Sequence, residues 1–373
     1  MKALNWSAIH TKKEKNLLTF FLRGLSLLYS FAIQFRLAMY KTGFLRAKYL
    51  PVHVISIGNI TTGGTGKTPF VAMLAQWAET HGLKVAILSR GYKGKRSNDL
   101  VVVSDGKTIL SSFDDAGDEP VMLARTLSSV PVLISKKRYQ IGSLALKLFG
   151  SELLLLDDGY QHLSLHRDAN ILLVDAKRQF GNRSLLPLGP LREPIAQIKR
   201  ASIIVITKCT DTHPGDKLVD YFQKNFPTKS IFRSRYYPHQ VDFPLADATY
   251  PPDILKGKNV VVFAGIAHPD DFLETVKDCG ANIVHFQGFP DHHFFSAHEI
   301  EELVSWKKYS NVDFLLTTEK DWIRIDDKID PASDIALLTI KIELLSGANT
   351  FFESIKQGII RSNAKKSESQ NQA

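Results

Sequence analysis

Hydrophobic and polar positions follow two regimes along this chain. From Asn16 to Tyr40 apolar residues dominate, among them Leu17, Phe20, Phe21, Leu27, Leu28, Phe31 and Phe35, and Arg23 and Arg36 are the two charges that interrupt them. After Pro51, short apolar runs alternate with amphipathic stretches. The runs are Val52–Ile57, Val85–Ser89, Val101–Val103, Val130–Ile134, Leu153–Leu156, Ile171–Val174 and Ile203–Ile206. Each is brief and unbroken, as strands buried on both faces of a parallel sheet are. Between the first two, Phe70, Val71, Leu74, Trp77 and Ala78 recur at helical spacing. The pattern predicts a doubly wound α/β domain that begins strand, glycine loop, helix.

From Thr207 to Pro251 the composition shifts toward His, Pro, Asp, Tyr and Thr, and apolar runs return at Val260–Phe263 and Phe314–Thr317. A boundary is expected near 205–215. The expected order is an arm over 1–48, a P-loop domain over 49–205, a second, smaller α/β domain over 206–350, and a C-terminal segment over 351–373. The end of that segment, Arg361–Ala373, is too polar to bury a core and is expected to be disordered.

Charge refines the picture of the arm. The chain of 373 residues carries a formal charge of +9, which by itself would suggest nucleic acid. Its distribution argues otherwise: residues 1–50 hold nine basic side chains against the single acid Glu14, and the rest of the chain is nearly neutral. Twelve uncharged residues separate Arg23 from Arg36, fewer than the about 20 that a spanning helix needs. No small-residue cleavage site follows, so a signal peptide fits poorly. The expectation is a helix lying in the interface of an anionic leaflet, with a helix packed on the core as the alternative. The two cysteines, Cys209 and Cys279, outline neither a disulfide framework nor a zinc site, which suits a reducing compartment.

The segment Val54–Thr68 reads VISIGNITTGGTGKT. Against G-x-x-x-x-G-K-[ST] it matches Gly66, Lys67 and Thr68, with Thr61 in place of the first glycine. Gly63, Gly64 and Gly66 allow backbone N–H groups to turn onto phosphate oxygens, and Thr62 and Thr65 complete the loop. Lys67 would reach the β- and γ-phosphates of ATP, and the Thr68 hydroxyl would ligate Mg²⁺. Such a site needs an acid at the end of a neighbouring strand. Asp157 and Asp158 after Leu153–Leu156 are preferred, because paired carboxylates at a sheet edge are costly without a cation. Asp175 reads better as a turn acid or helix cap.

With these strings in order, the chain resembles the tetraacyldisaccharide 4′-kinases. The resemblance rests on Ser56–Ile60 leading into GGTGKTP, Ser89–Tyr92, Ala116–Pro120, Asp157–His162, Leu188–Pro194, Phe263–Ile266, Asp291–His292 and Thr318–Asp321. It covers residues from about 17 to 325, and Thr61 is the family's usual form of the loop. The resemblance implies ATP and Mg²⁺ as cofactors and an acylated glucosamine disaccharide 1-phosphate as acceptor. It also implies an N-terminal membrane-binding helix at the cytoplasmic face of the bacterial inner membrane. No nucleic acid or obligate protein partner is expected. The resemblance further implies Asp118 and His292 as the pair acting on the sugar hydroxyl, an active-site role for His162, and a nucleotide- or metal-facing role for Arg192 and Glu193. Arg138 is a weaker candidate for a phosphate contact. On the residues alone, Asp118 reads equally as a helix cap, and His292 sits among His293 and His298.

Two other classes stay open at this stage. A GTPase switch would need [NT]-K-x-D, and Thr207-Lys208-Cys209-Thr210 lacks the final acid. A membrane-bound nucleotide sensor would bind ATP without acceptor-dependent turnover.

Overall fold

The computed structural model describes residues 10, 17–309, 311–326, 329 and 334–370. Lys2, Lys12, Lys13, Glu14 and Lys15 of the basic arm, and residues 371–373 of the tail, lie outside the described residues.

In chain order the elements are α1 (Leu17–Lys41), β1 (His53–Gly58), α2 (Lys67–Thr80), β2 (Val85–Ser89), β3 (Val101–Ser104), α3 (Phe113–Ala116), α4 (Asp118–Thr126), β4 (Val132–Ile134), α5 (Arg138–Phe149), β5 (Leu153–Asp157), β6 (Ala169–Asp175) and β7 (Ile203–Thr207). They continue with α6 (Asp216–Asn225), β8 (Ser230–Phe243), β9 (Ala248–Tyr250), β10 (Asn259–Ala264), α7 (Pro269–Asp278), β11 (Asn282–Gly288), α8 (Ala297–Tyr309), β12 (Phe314–Thr317), α9 (Glu319–Trp322), β13 (Ile335–Leu344) and α10 (Ala348–Gln370). The chain divides into two compact units, one of Met1–Arg90, Lys137–Arg235 and Leu344–Ala373, the other of Gly91–Lys136 and Tyr236–Glu343.

The first unit is built on parallel strands. β1 pairs with β5 on one side, Ile57 opposite Asp157, and with β6 on the other, Gly58 opposite Leu172. β2 continues beyond β5, while β7 and the start of β8 continue beyond β6. Every residue of β1, β2, β5 and β7 is buried, which explains why these strands read as continuous apolar runs rather than alternations. Helix α2 lays Phe70, Val71 and Leu74 against the sheet, all fully buried. Helix α10 inserts Phe351 between the rings of Phe70 and Phe232.

Helix α1 belongs to this unit and has two faces. Leu22 and Ser26 are buried, Ser26 Oγ donates to Leu185 O at 2.9 Å, Tyr29 OH donates to Arg192 O at 2.9 Å, and Arg36 donates to Gln161 O at 3.1 Å. Positions 22, 26, 29 and 36 share one side of a helix. The opposite stripe is exposed: Leu17, Phe20, Phe21, Leu27, Leu28, Phe31 and Phe35, with Phe20 at 75% and Phe31 at 72%.

The second unit pairs β10 in parallel with β11 and β12, and β12 with β13. β9 folds back antiparallel on the end of β8. Two apolar clusters flank these strands, one around Phe263, Phe295 and Trp322, the other around Val262, Phe272 and Leu316.

The structure departs from the sequence reading in four places. β3 and β4 are antiparallel to each other and fall in the second unit, because short strands buried on both faces read alike in either orientation. The chain passes between units at 90/91, 136/137, 235/236 and 343/344, whereas composition suggested one passage near 205–215. The polar stretch behind that suggestion contains β8, a 14-residue strand rich in Arg, Tyr and His that is mostly half-buried and so lacks a clean apolar signal. Finally, the tail from Arg361 continues α10 as far as Gln370. Phe351, Ile355 and Ile359 anchor the first turns, and an anchored helix propagates through Lys, Ser, Glu and Gln at little further cost.

Candidate active site

The loop after β1 carries the phosphate-binding candidates of the first unit. Gly63 and Gly66 have φ of 99° and 88°, left-handed conformations that a side chain would strain, and Gly66 caps α2. Thr61 has no such positive φ; it forms an isolated bridge with Leu191, so the first position of the motif needs no glycine here. Asn59 Nδ2 donates to Thr65 Oγ1 at 2.8 Å, and Thr62 N donates to Pro190 O at 2.7 Å. Thr207 Oγ1 donates to Thr65 O at 2.9 Å, so the threonine that mimicked a guanine-reading motif instead holds the phosphate loop. The loop is thus braced from two sides before any ligand arrives. Helix α2 begins at Lys67, and its early N–H groups and dipole point into the loop as an anion site does.

The acids at the ends of β5 and β6 behave differently. Asp157 is buried and accepts from Ser89 Oγ at 3.3 Å. Asp158 has φ of 49° and meets three cations: Arg192 Nη1 at 2.7 and 3.0 Å from its two oxygens, Lys67 Nζ at 3.8 Å, and Arg138 through space. Burial pushes its carboxyl up, but Lys67 and Arg192 outweigh burial and hold it at about 2. Asp175 accepts the backbone N–H groups of Lys177 and Arg178 at 2.9 and 2.8 Å and pairs with Lys208 at 3.4 Å, the local turn acid that its sequence suggested.

Lys67, Asp158 and Arg192 are therefore brought together, whereas Glu193 is committed to Arg200, whose guanidinium stacks on Tyr160. Burial raises the Glu193 carboxyl despite that partner. His162 hydrogen-bonds Ser164 Oγ at 2.9 Å; burial and then Arg138 and Arg167 push its pKa down to about 3, leaving it neutral at physiological pH. Arg138 is buried at the start of α5, and burial lowers its pKa to about 10.

The second unit holds the other candidates. Asp118 is the first residue of α4, and Gly117 before it has φ of 89°; a Cβ at Gly117 would lie 2.4 Å from Tyr92 O. This turn presents the carboxylate of Asp118 at 5% exposure. Its Oδ1 accepts from Glu119 N at 2.8 Å, and its Oδ2 lies 2.7 Å from His292 Nδ1. Of the neighbouring histidines, His293 pairs instead with Glu299 at 3.0 Å, and His298 is exposed. His292 itself has φ of 59°, and Tyr92 meets its ring edge-on at 5.5 Å.

Two cations that the sequence reading left without roles complete the group. Arg324 is 2% exposed; its Nε donates to Asp118 Oδ2 at 2.9 Å, its Nη2 donates to the same oxygen, and its Nη1 donates to Gly265 O at 2.9 Å and Asp321 Oδ1 at 3.0 Å. Lys320 Nζ lies 3.4 Å from His292 Nε2, 3.3 Å from Asp291, 3.5 Å from Glu119 and 4.0 Å from Asp118. Burial would lower the Lys320 ammonium, but Glu119, Asp118 and Asp291 raise its pKa, so it stays charged. For Asp118, burial pushes upward, and the His292 hydrogen bond, Lys320 and Arg324 together hold the carboxyl far below the usual range. A cavity of about 550 Å³ opens over this group, lined also by Lys93, Lys95, Phe113 and Phe294. Lys320 sits in a string whose motif was legible; Arg324, three residues beyond Asp321, carried no signal of its own.

The chain is similar to known proteins over most of its length. The profile of the Tetraacyldisaccharide-1-P 4′-kinase family matches residues 18–359. The Tetraacyldisaccharide 4′-kinase of Pelobacter propionicus is 38% identical over 301 residues, 80% of this chain and 81% of its own. That of Syntrophus aciditrophicus is 36% identical over 344 residues, 89% and 90% of the two chains. The crystal structure of LpxK from Aquifex aeolicus, an "apo" form in complex with ATP, aligns with a TM-score of 0.72 at 35% identity, covering 93% of this chain and 99% of that one.

Proposed function

The chain belongs to the tetraacyldisaccharide-1-phosphate 4′-kinase family, and from that premise we propose how its own residues perform the transfer. The reaction moves the γ-phosphoryl group of ATP to the 4′-hydroxyl of a tetraacyldisaccharide 1-phosphate in lipid A biosynthesis. The observation that carries the mechanism is that two separately braced groups exist, a phosphate loop with Lys67 and a carboxylate–imidazole pair.

The loop fits a nucleoside triphosphate, since its left-handed glycines and the start of α2 leave backbone donors for phosphate oxygens. Lys67, paired with Asp158, supplies positive charge there. Bound with ATP, Mg²⁺ would supply charge that neutralises the transferring phosphate. The hydroxyl of Thr68 and the carboxylates of Asp157 and Asp158 are the hard oxygen donors such an ion takes, and they are the residues that would hold it. Arg192 keeps Asp158 ionised and oriented.

Asp118 stays ionised at neutral pH, so it accepts a hydrogen bond from His292 Nδ1–H and leaves Nε2 as the basic nitrogen. His292 Nε2 then takes the proton of the acceptor hydroxyl as that oxygen attacks. Lys320 beside Nε2 offers a fixed positive charge near the developing anion. Positioning and charge neutralisation supply most of the rate in phosphoryl transfer.

Helix α1 completes the reading as a membrane contact. Its 25 residues, about 37 Å long, are long and apolar enough to cross a bilayer by length and composition. However, one face is hydrogen-bonded to the first unit, and a helix so held presents its other face sideways. An exposed stripe of Phe and Leu beside Arg23, Lys41, Arg46 and Lys48 suits insertion to the depth of the headgroups of an anionic leaflet. This favours a position on the cytoplasmic face of the inner membrane, where ATP and an acylated acceptor meet.

Lys67→Ala tests the mechanism. It should lower kcat/KM for label transfer from γ-labelled ATP at least about a hundredfold, roughly 3 kcal/mol of transition-state stabilisation. Near-normal transfer would remove the loop from the reaction.

A further inference from the structure

We infer that Arg324, held by Asp321, is a positioning residue that fixes the Asp118–His292 pair for catalysis. The inference rests on the assignment of that pair proposed above.

The geometry separates the two oxygens of Asp118 by task. Oδ1 is taken by the backbone N–H of Glu119, which ties the carboxylate to the start of α4. Oδ2 is shared between His292 Nδ1 and two nitrogens of Arg324. Arg324 therefore decides where Oδ2 lies, and with it the orientation of the imidazole ring. A guanidinium is planar, and fixing one edge fixes the other. Here the second edge is fixed by Gly265 O and Asp321 Oδ1.

Asp321 is in turn immobile. It is fully buried; its Oδ1 accepts from Gly265 N at 3.1 Å and its Oδ2 accepts from Thr318 Oγ1 at 2.7 Å. The chain Thr318, Asp321, Arg324, Asp118, His292 thus runs from the end of β12 to the imidazole without an exposed link. Two buried carboxylates around one buried guanidinium make a costly arrangement unless each charge is satisfied, and a wholly apolar cluster would serve stability as well. Holding one carboxylate oxygen against an imidazole is a task that an apolar cluster does not perform.

The charges facing Asp118 set the expected pH behaviour. They are Arg324 and Lys320 from the segment around α9; the imidazole of His292 from the loop after β11 and the backbone N–H of Glu119 from its own helix also meet the carboxylate, and the Glu119 carboxylate faces Lys320. Arg324→Gln removes the closest cation while Lys320 at 4.0 Å remains, so burial is free to raise the Asp118 carboxyl, and a protonated Asp118 no longer accepts from His292 Nδ1. Activity of the variant therefore fails at higher pH as the solution is acidified.

The test uses the full-length enzyme with ATP and the acylated disaccharide. Arg324→Gln should move the acid limb of the kcat profile upward by about one to three pH units, with KM for ATP within threefold of wild type, and Arg324→Lys should recover part of kcat and most of the limb. Combining Arg324→Gln with Asp118→Asn should cost little beyond Asp118→Asn alone. The inference is overturned if Arg324→Gln, shown folded by its circular dichroism and cooperative melting, loses kcat equally at every pH with an unmoved limb. If Arg324→Gln does not fold, Arg324→Lys decides: a limb at the wild-type position with full kcat loss also overturns it. Failure of the underlying pair assignment is seen separately, as wild-type kcat in Asp118→Asn and His292→Ala, and that result removes this inference with it.

Discussion

Replacing His292 with alanine should separate catalysis from stability. The imidazole donates one charge-assisted hydrogen bond to Asp118, whose oxygens keep Arg324 and the Glu119 N–H after the change. Loss of one such bond costs at most about 1.5–3 kcal/mol of stability. The left-handed backbone, φ of 59°, is borne by histidine already and changes little in alanine. Catalysis should suffer more. A positioned general base is worth about 10²–10⁴ in rate, or roughly 2.7–5.5 kcal/mol. The assay is kcat for phosphoryl transfer at saturating ATP, with ATP affinity from calorimetry and stability from urea unfolding of the same preparations. The expected outcome is a fall in kcat of at least a hundredfold with ATP affinity unchanged. Asp118→Ala should fall similarly, and the double variant should be little worse than either, since the two residues act as one unit. A variant with kcat within threefold of wild type, or fully additive losses, would refute the reasoning.

Two further changes probe other parts of the molecule. Burial, helped by Asp242 and opposed by Lys341, raises the Glu319 carboxyl to about 7. An acid raised in the folded state destabilises it above its ordinary pKa; the cost is complete above pH 7 and absent below about pH 4. Glu319→Gln should therefore raise unfolding free energy by about 1–3 kcal/mol at pH 8 and leave it unchanged at pH 4; an equal effect at both pH values would sink this. On α1, Phe20→Glu with Phe31→Glu should weaken binding to anionic vesicles at least tenfold, because each exposed ring contributes roughly 1.5–3 kcal/mol on burial in lipid. Turnover of detergent-dispersed acceptor should stay within threefold of wild type, and unchanged vesicle binding would place the membrane contact elsewhere.

Much of this architecture was legible because its signals are local. Strands β1, β5, β6 and β7 announce themselves as apolar runs, since a parallel strand covered on both faces has nowhere to put polar residues. The phosphate loop is a contiguous string whose glycines answer to backbone angles. Asp175 reads as a turn acid, because an aspartate caps the N–H groups two and three residues on whatever the tertiary fold. By contrast β8 was hidden, since a half-buried strand tolerates arginine, tyrosine and histidine. The union of Asp118 with His292 and Arg324 joins residues 174 and 206 positions apart, and no period or motif encodes such a distance. The resemblance to a known family supplied the first partner. Arg324 needed the structure, because a buried arginine three residues after an aspartate reads as an ordinary surface ion pair.

The most direct test of the central claim is mass spectrometry of the acceptor after incubation of the enzyme with Mg·ATP. Two acceptors are compared, a tetraacylated glucosamine disaccharide 1-phosphate and the same molecule lacking its 4′-hydroxyl. One added phosphate is expected on the first, none on the second, and one ADP released per product formed. Phosphate on both acceptors, or ATP turnover with neither modified, would contradict that claim.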